Sequence, residues 1–370
     1  MRFLHMADLH IGKSVNGFSM LEDQRHILNA MLKMTEDIGP DAVLIAGDVY
    51  DRQTPGPEAV SMFDDFLTGM VRAGAEVFII GGNHDSPERL SFGCRIMTNV
   101  HVYSVFDGSV RSETVQDEWG EVVIHMLPSL RVSNARPFFG EDCSDPVRTV
   151  MSKLSLDPGK RNVIMAHQFT CSSTPPMLSD SELSVGGSDW VDLSLFEPFD
   201  YAALGHLHVP QALRRESLRY AGSPLKYSAS ECRMKGGEKS VPLVELREKG
   251  DVSVTLLPLT PLRDMRIIKG TLAGLLAAST EYDYVHAALT DREEVRDAFG
   301  QLKRVYPNIM SIEWSGIADA QADAYADAVP ADIAARDPLL LFRSFFEAAW
   351  GRPMNEEQER IAREAMNEEL

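Results

Sequence analysis

Residues 77–85 read VFIIGGNHD. Four apolar residues in a row suit a strand covered on both faces, and the glycine pair gives the φ freedom with which a strand enters a turn. Turning alone does not demand the next three residues. Asn83, His84 and Asp85 crowd an amide, an imidazole and a carboxylate together, three groups able to bind metal or carry protons. Alone, GGNHD fits an Asn-containing turn with a satisfied histidine as well as it fits an active site.

The pattern repeats along the chain. Phe3-Leu4-His5-Met6-Ala7 leads to Asp8-Leu9-His10, and Val43-Leu44-Ile45-Ala46 leads to Gly47-Asp48. Val163-Ile164-Met165-Ala166 leads to His167, and Tyr201–Gly205 leads to His206-Leu207-His208. Between the first strands, Leu21–Ile38 places Leu21, Ile27, Leu28, Met31, Leu32 and Ile38 at helical spacing, and Pro57–Arg72 does the same with Phe63, Phe66, Leu67, Met70 and Val71. The order β-α-β-α-β predicts a layered α/β core. The ligand-bearing strand ends fall where open α/β sheets place their sites, here expected at one edge of one sheet. One Asp-x-His arises by chance; five such strand ends do not. His5, His26, His101, His125 and His286 stand outside the pattern and are read as structural.

Length and composition bound the rest. A chain of 370 residues is expected to hold more than one domain. The first is assigned to 1–260, and a small α/β capping domain to 261–316, from a strand over 265–268, a helix over 272–278, a strand over 284–289, a helix over 293–305 and a strand over 309–314. Residues 317–336 are Ala/Asp-rich, with few large apolar side chains, and read as a linker. The segment 337–370 reads as helical. Its Leu340, Leu341, Phe342, Phe345 and Phe346 are too apolar to stay in water, so it docks on a partner or packs back on its own chain.

The formal net charge of −19 excludes a protein that holds nucleic acid by surface charge alone. If the substrate is DNA, something must offset that charge. Cys94, Cys143, Cys171 and Cys232 are widely spaced and form no CxxC pair, which fits neither a disulfide framework nor a zinc ribbon. They read as reduced thiols of a cytoplasmic protein. The opening MRFLHMADLH is too soon interrupted by Asp8 to be a signal peptide, and no run is long enough to span a bilayer. A soluble protein without a membrane role is expected.

The motifs Asp8-Leu9-His10, Gly47-Asp48-Val49-Tyr50-Asp51, Gly82-Asn83-His84-Asp85, His167 and Gly205-His206-Leu207-His208 resemble those of the calcineurin-like metallophosphoesterases. Longer stretches support the likeness: HMADLHIGK, GDVYDRQTP, GGNHDSPERLSFG, ELSVGGSDWV and YAALGHLHVPQ. The resemblance implies a layered β-sandwich flanked by helices, here with the small capping domain and a C-terminal helical tail. It implies two divalent ions, Mn²⁺ first and Fe²⁺ or Mg²⁺ as alternatives. One would be held by Asp8, His10, Asp48 and His208, the other by Asp48, Asn83, His167 and His206, with Asp48 bridging. Mixed carboxylate, amide and imidazole ligands suit such ions. His84 would serve the scissile phosphate as general acid or transition-state donor, with Asp85 orienting its ring. Asp51 stands where some relatives carry histidine, so a supporting role is expected for it. Lys13, Arg52 and Arg89 read equally as contacts to DNA phosphates or as partners in local salt bridges.

Within the family the likeness is greatest to bacterial nuclease subunits that act with a coiled-coil ATPase. It implies exonuclease action on duplex ends and endonuclease action on hairpins or single strands, in DNA repair and recombination. The segment 337–370 would dock on the ATPase. A homodimer through helices around Pro57–Arg72 and Arg89–Asn99 would build a heterotetramer. The same ligands also serve a stand-alone phosphatase or cyclic-nucleotide phosphodiesterase, which stays open as the alternative.

Overall fold

The computed structural model describes residues 1–171, 176–180, 190–234, 238–315, 342–343, 346 and 352–367. Most of ELSVGGSDWV, the whole 317–336 stretch and Leu340, Leu341 and Phe345 lie outside the described residues.

Twelve strands form two six-stranded sheets. They are β1 Arg2–Met6, β2 Ala42–Ala46, β3 Glu76–Ile80, β4 Val100–Tyr103, β5 Arg111–Asp117, β6 Gly120–Leu127, β7 Arg161–His167, β8 Tyr201–Gly205, β9 Gln211–Leu213, β10 Arg215–Tyr220, β11 Ser240–Leu246 and β12 Val252–Pro258. The first sheet runs β12-β11-β1-β2-β3-β4 and the second β9-β10-β8-β7-β6-β5. β1 to β4 are parallel, as are β6, β7, β8 and β10. Antiparallel strands close the edges.

The apolar runs hide a period of two. Ala42, Leu44 and Ala46 of β2 join Phe3, Phe78 and Ile80 in a cluster that also takes Ile124, Met126, Val163, Met165, Tyr201 and Ala203 from the second sheet. That cluster fills the space between the sheets, with Phe3 edge-on to Tyr201 at 5.3 Å. The far face of the second sheet carries Ile164, Ala166, Ala202 and Leu204 against Val147, Val150, Phe196 and Phe199. On the first sheet, helix α1 (Leu21–Ile38) packs on α2 (Pro57–Arg72), and α2 on β3. Phe63, Phe66 and Met70 are buried in α2. The result is a β-sandwich flanked by helices, built from two sheets where the strand ends alone suggested one.

The chain divides into two compact units, Met1–Ile267 with Tyr282–His286, and Ile268–Glu281 with Ala287–Leu370. In the first unit Arg263 grips buried Asp23 through Nε at 3.0 Å and Nη2 at 2.7 Å, and Tyr284 donates to the same carboxylate at 2.8 Å. Beyond residue 260 three strands, β13 Met265–Gly270, β14 Tyr284–Leu289 and β15 Ile309–Trp314, form a sheet in that order. The helix expected over 293–305 is confined to Ala298–Leu302, because Asp297 sits at φ 55° and cannot continue a right-handed turn. A helix follows at Glu356–Asn367. No helix among the described residues is long and apolar enough to cross a membrane.

Of the five structural histidines, four are buried or paired and one lies on the surface. His5 meets Tyr201 Oη at 3.0 Å, His101 meets Glu76 at 2.7 Å, and His125 lies between Ser112 and Asn162. His286 is buried, and His26 is exposed on α1. Cys94, Cys143 and Cys232 carry free thiols.

Candidate metal centre

Each ligand-bearing loop leaves the carboxyl end of a parallel strand, and the loops are zipped together by main-chain hydrogen bonds. Asp8 N–H donates to Gly47 O at 3.0 Å, His10 N–H to Asp48 O at 3.0 Å and Ile11 N–H to Val49 O at 2.9 Å. The chain accepts strain to do this: Asp8, His10, Asp48 and His206 have φ of 54°, 45°, 49° and 111°, values that side-chain-bearing residues adopt only when their surroundings enforce them. Two glycines let the loops close. A Cβ at Gly82 would stand 2.1 Å from Asp48 Oδ1, and one at Gly205 would stand 1.9 Å from Ala46 O, across the seam between the sheets.

Seven expected ligands converge there, four from the first sheet and three from the second. His10 Nε2 and His208 Nε2 are 3.0 Å apart, and with a carboxylate oxygen of Asp8 they lie within 4.8 Å of one another. Asp48 Oδ2 stands 3.6 Å from His10 Nε2 and 3.4 Å from His167 Nε2. Asn83 Oδ1 is 3.0 Å from His167 Nε2 and 3.0 Å from His206 Nδ1. His206 donates its backbone N–H to both oxygens of Asp8 at 3.0 and 3.1 Å.

The donor chemistry calls for cations. His167 Nδ1–H donates to Ala46 O at 2.9 Å, which turns Nε2 toward two oxygens, of Asn83 and Asp48, that are themselves acceptors. Burial drives His10 and His206 down to about 3, and His208 well below the usual imidazole range, so these three present neutral lone pairs. Burial also disfavours charge on His167, but the Asp48 carboxylate outweighs it and pushes the group up to about 9. Burial alone would raise Asp48; the charge and hydrogen bond of His167 hold it well below the carboxylate range. Between Asp48 and His167 the fold therefore favours a positive charge, which a proton or a divalent ion can supply. The residues fit a pair of such ions.

His84 adjoins these donors, with a ring nitrogen within 4.8 Å of ligand atoms of His10 and Asp48. Its backbone N–H donates to Asp48 Oδ1 at 2.8 Å, its ring lies edge-on to His10 at 4.8 Å, and Nδ1 donates to Asp51 O at 2.9 Å. The orienting group is thus a carbonyl. Asp85, expected to orient that ring, instead accepts from Val49 N at 3.2 Å, Tyr50 N at 3.0 Å and Gly82 N at 2.9 Å. It builds the turn that presents Asn83 and His84. Burial, with Asp48 nearby, raises Asp85 to about 6.

The three cations read either as phosphate contacts or as local partners are engaged locally. Lys13 Nζ pairs with Asp51 at 2.7 Å, Arg52 Nε stands 3.7 Å from the same carboxylate, and Arg89 donates to Gln53 O at 3.0 Å. Asp51 also lies 3.6 Å from His10 Nδ1, consistent with support for a ligand.

Sequence reasoning missed a further group. Gln24 of α1 donates to His10 O at 2.7 Å and accepts from Gly12 N at 2.9 Å, and Tyr227 Oη donates to Leu9 O at 2.7 Å. They hold the strained Asp8–His10 loop from behind. Neither stands at a strand end, so no spacing marks them.

Two packed sheets with histidines, aspartates and an asparagine at one shared edge are the architecture of a dinuclear phosphoesterase. A family profile described as calcineurin-like phosphoesterase matches residues 1–210. The chain is 30% identical over 325 residues to the D-type subunit of the SbcCD nuclease of Staphylococcus epidermidis, spanning 84% of this chain and 85% of that protein. It is 29% identical over 323 residues to the protein of the same name in Staphylococcus saprophyticus, covering 84% of each. The chain belongs to the calcineurin-like phosphoesterase family, in its SbcD branch. A second profile, described as type 5 capsule protein repressor C-terminal domain, matches residues 261–349. Among solved structures, a dimetal phosphatase from Danio rerio is similar at a TM-score of 0.43 and 11% identity, over 71% of this chain and 98% of that one.

Proposed function

We propose that this chain is a metal-dependent DNA nuclease, the D-type subunit of a complex with an SbcC-like coiled-coil ATPase. The observation that carries the reading is three overlapping donor groups, Asp8/His10/His208, His10/Asp48/His84 and Asp8/Asp48/His167, joined to likeness over most of the chain to proteins named as nuclease subunits. Asp8, His10, Asp48 and His208 hold one ion; Asp48, Asn83, His167 and His206 hold the other. When bound, two such ions polarise a phosphodiester, lower the pKa of a water and steady the leaving oxygen, and they answer how a chain of net charge −19 approaches DNA. Mn²⁺ suits the mixed oxygen and nitrogen donors.

His84 keeps its Nδ1–H on Asp51 O, so it is the imidazolium form, with Nε2 protonated as well, that gives the departing oxygen a proton or hydrogen bond as the P–O bond breaks. Asp85 acts through the turn. The ATPase adds DNA-binding surface and takes up the apolar tail, 337–370. Dimerisation uses the Arg89–Asn99 surface, where Phe92 and Ile96 are 86% and 88% exposed. A cytoplasmic location accords with the free thiols.

The test is Mn²⁺-dependent cleavage of a linear duplex and a hairpin by the purified chain, with and without the ATPase subunit. Degradation that gains ATP dependence with the partner is expected, and a chain ending at Asp337 should lose co-purification with the ATPase while still hydrolysing a small phosphodiester. No cleavage of either DNA beside brisk hydrolysis of the small substrate would replace this reading with a stand-alone phosphodiesterase.

A further inference from the structure

The segment after β10 contributes no ligand, yet it buries a complete ion pair beneath the centre. Glu231 is fully buried and Lys239 is 7% exposed. Glu231 Oε1 accepts from Tyr227 N at 2.8 Å and Ser228 N at 3.0 Å, and Oε2 takes Lys239 Nζ at 2.5 Å. The other two contacts of that ammonium go to His208 O at 2.8 Å and Ser223 Oγ at 2.9 Å. Three protons thus have three acceptors, and the lysine geometry is fixed. Ser223 N–H adds a second donor to His208 O at 3.0 Å, and Glu231 Oε1 stands 3.9 Å from His208 Nδ1.

Taking two charges out of water is costly, and a buried pair is weak evidence of added stability. What this pair does is local: every side-chain hydrogen bond described for it ends on His208 or within residues 223–239. Lys239 anchors the main chain of His208, and Glu231 stands on the side of the ring away from His10. A carboxylate or fixed main chain behind a ligating histidine sets the ring's direction and its basicity.

We infer that the Glu231–Lys239 ion pair positions His208, and that it sets the affinity of the Asp8/His10/His208 half of the centre without touching the Asn83/His167/His206 half. The inference rests on the ligand assignment proposed above. Its signature is selectivity, because a merely structural pair would weaken both ions or neither.

The test titrates Mn²⁺ into the full-length chain, following free Mn²⁺ by electron paramagnetic resonance, in the wild type and in the double variant Glu231→Gln/Lys239→Met, which removes both charges and strands neither. The wild type should take two equivalents. The double variant should keep one at wild-type affinity and bind the other about 10–100-fold more weakly, and Co²⁺ in its place should show altered visible bands for one site only. Should the double variant not fold, Glu231→Gln/Lys239→Gln, which leaves a polar pair and no buried charge, carries the same test with the same readings. Two equivalents at wild-type affinity, or equal weakening of both, would overturn the inference. Fewer than two in the wild type would instead remove the ligand assignment, and the inference with it.

Discussion

The same two sheets end in two very different edges. At the amino edge the chain supplies its own counter-charges. Arg161, at the start of β7, gives Nη1 to Asp117 Oδ2 at 2.9 Å, Leu246 O at 3.0 Å and Arg247 O at 2.9 Å, and Nη2 to Gly120 O at 2.7 Å. The N-terminal ammonium of Met1 joins the same Asp117. Cations, an anion and carbonyls from both sheets close this edge as a seam. At the carboxyl edge the ingredients are lone pairs: two carboxylates, an amide oxygen and buried imidazoles held neutral, with one imidazole drawing a proton beside Asp48. One edge carries its own cations, and the other is built to receive them. Function sits at the edge that folding leaves short of positive charge.

The comparison breaks most sharply at Gly205. An alanine there sets Cβ against Ala46 O at 1.9 Å, and backbone cannot swing aside as a side chain can. Gly205→Ala should cost about 3 kcal/mol in denaturant unfolding. It should also slow phosphodiester hydrolysis about 10²-fold, since it misplaces His206 and His208. Unchanged stability would mean the carboxyl edge is looser than the contacts imply.

Mn²⁺ sharpens the comparison from the other side. At free ion about 100 times its dissociation constant, each bound ion should add about 2.7 kcal/mol to unfolding free energy, and chelation should remove it. Replacing Asp48 by Asn should abolish most of that gain, measured as the shift in thermal midpoint with and without Mn²⁺.

The smallest effect belongs to the amino edge. Burial pushes Asp117 up, but Arg161 and the N-terminus win and hold it at about 2. A carboxylate depressed by folding stabilises above its unfolded value near 3.8 and loses that contribution as pH falls through the folded value. Unfolding free energy should therefore drop between about pH 4 and pH 2 in the metal-free protein, and Asp117→Asn should flatten that drop.

How much was legible depends on the range of each interaction. Strand ends such as Ile80-Gly81-Gly82-Asn83 write apolar run, turn and donor side chain in one short string, so every proposed ligand could be named from the string alone. That β1–β3 and β7–β8 lie in different sheets could not, because pairing between strands far apart in sequence leaves no local pattern. Asp85 was assigned by adjacency to His84, whereas three main-chain N–H groups compete for its carboxylate. Gln24, Tyr227, Glu231 and Lys239 lie on a helix face and an irregular segment, where nothing in the string separates a polar residue aimed inward from one in water. The helix over 293–305 failed on a single residue, Asp297, whose positive φ no periodicity reveals.

The central claim is a division of labour within Asn83-His84-Asp85: metal, phosphate, turn. The most direct test is the metal content and cleavage rate of His84→Ala beside the wild type. The link from His84 to Asp48 is its backbone N–H, which alanine keeps. The account predicts two ions per chain in both proteins and a rate lowered about 10³-fold in the variant. Loss of an ion in His84→Ala would make His84 a ligand, and retained cleavage would remove it from the chemistry; either would contradict the account.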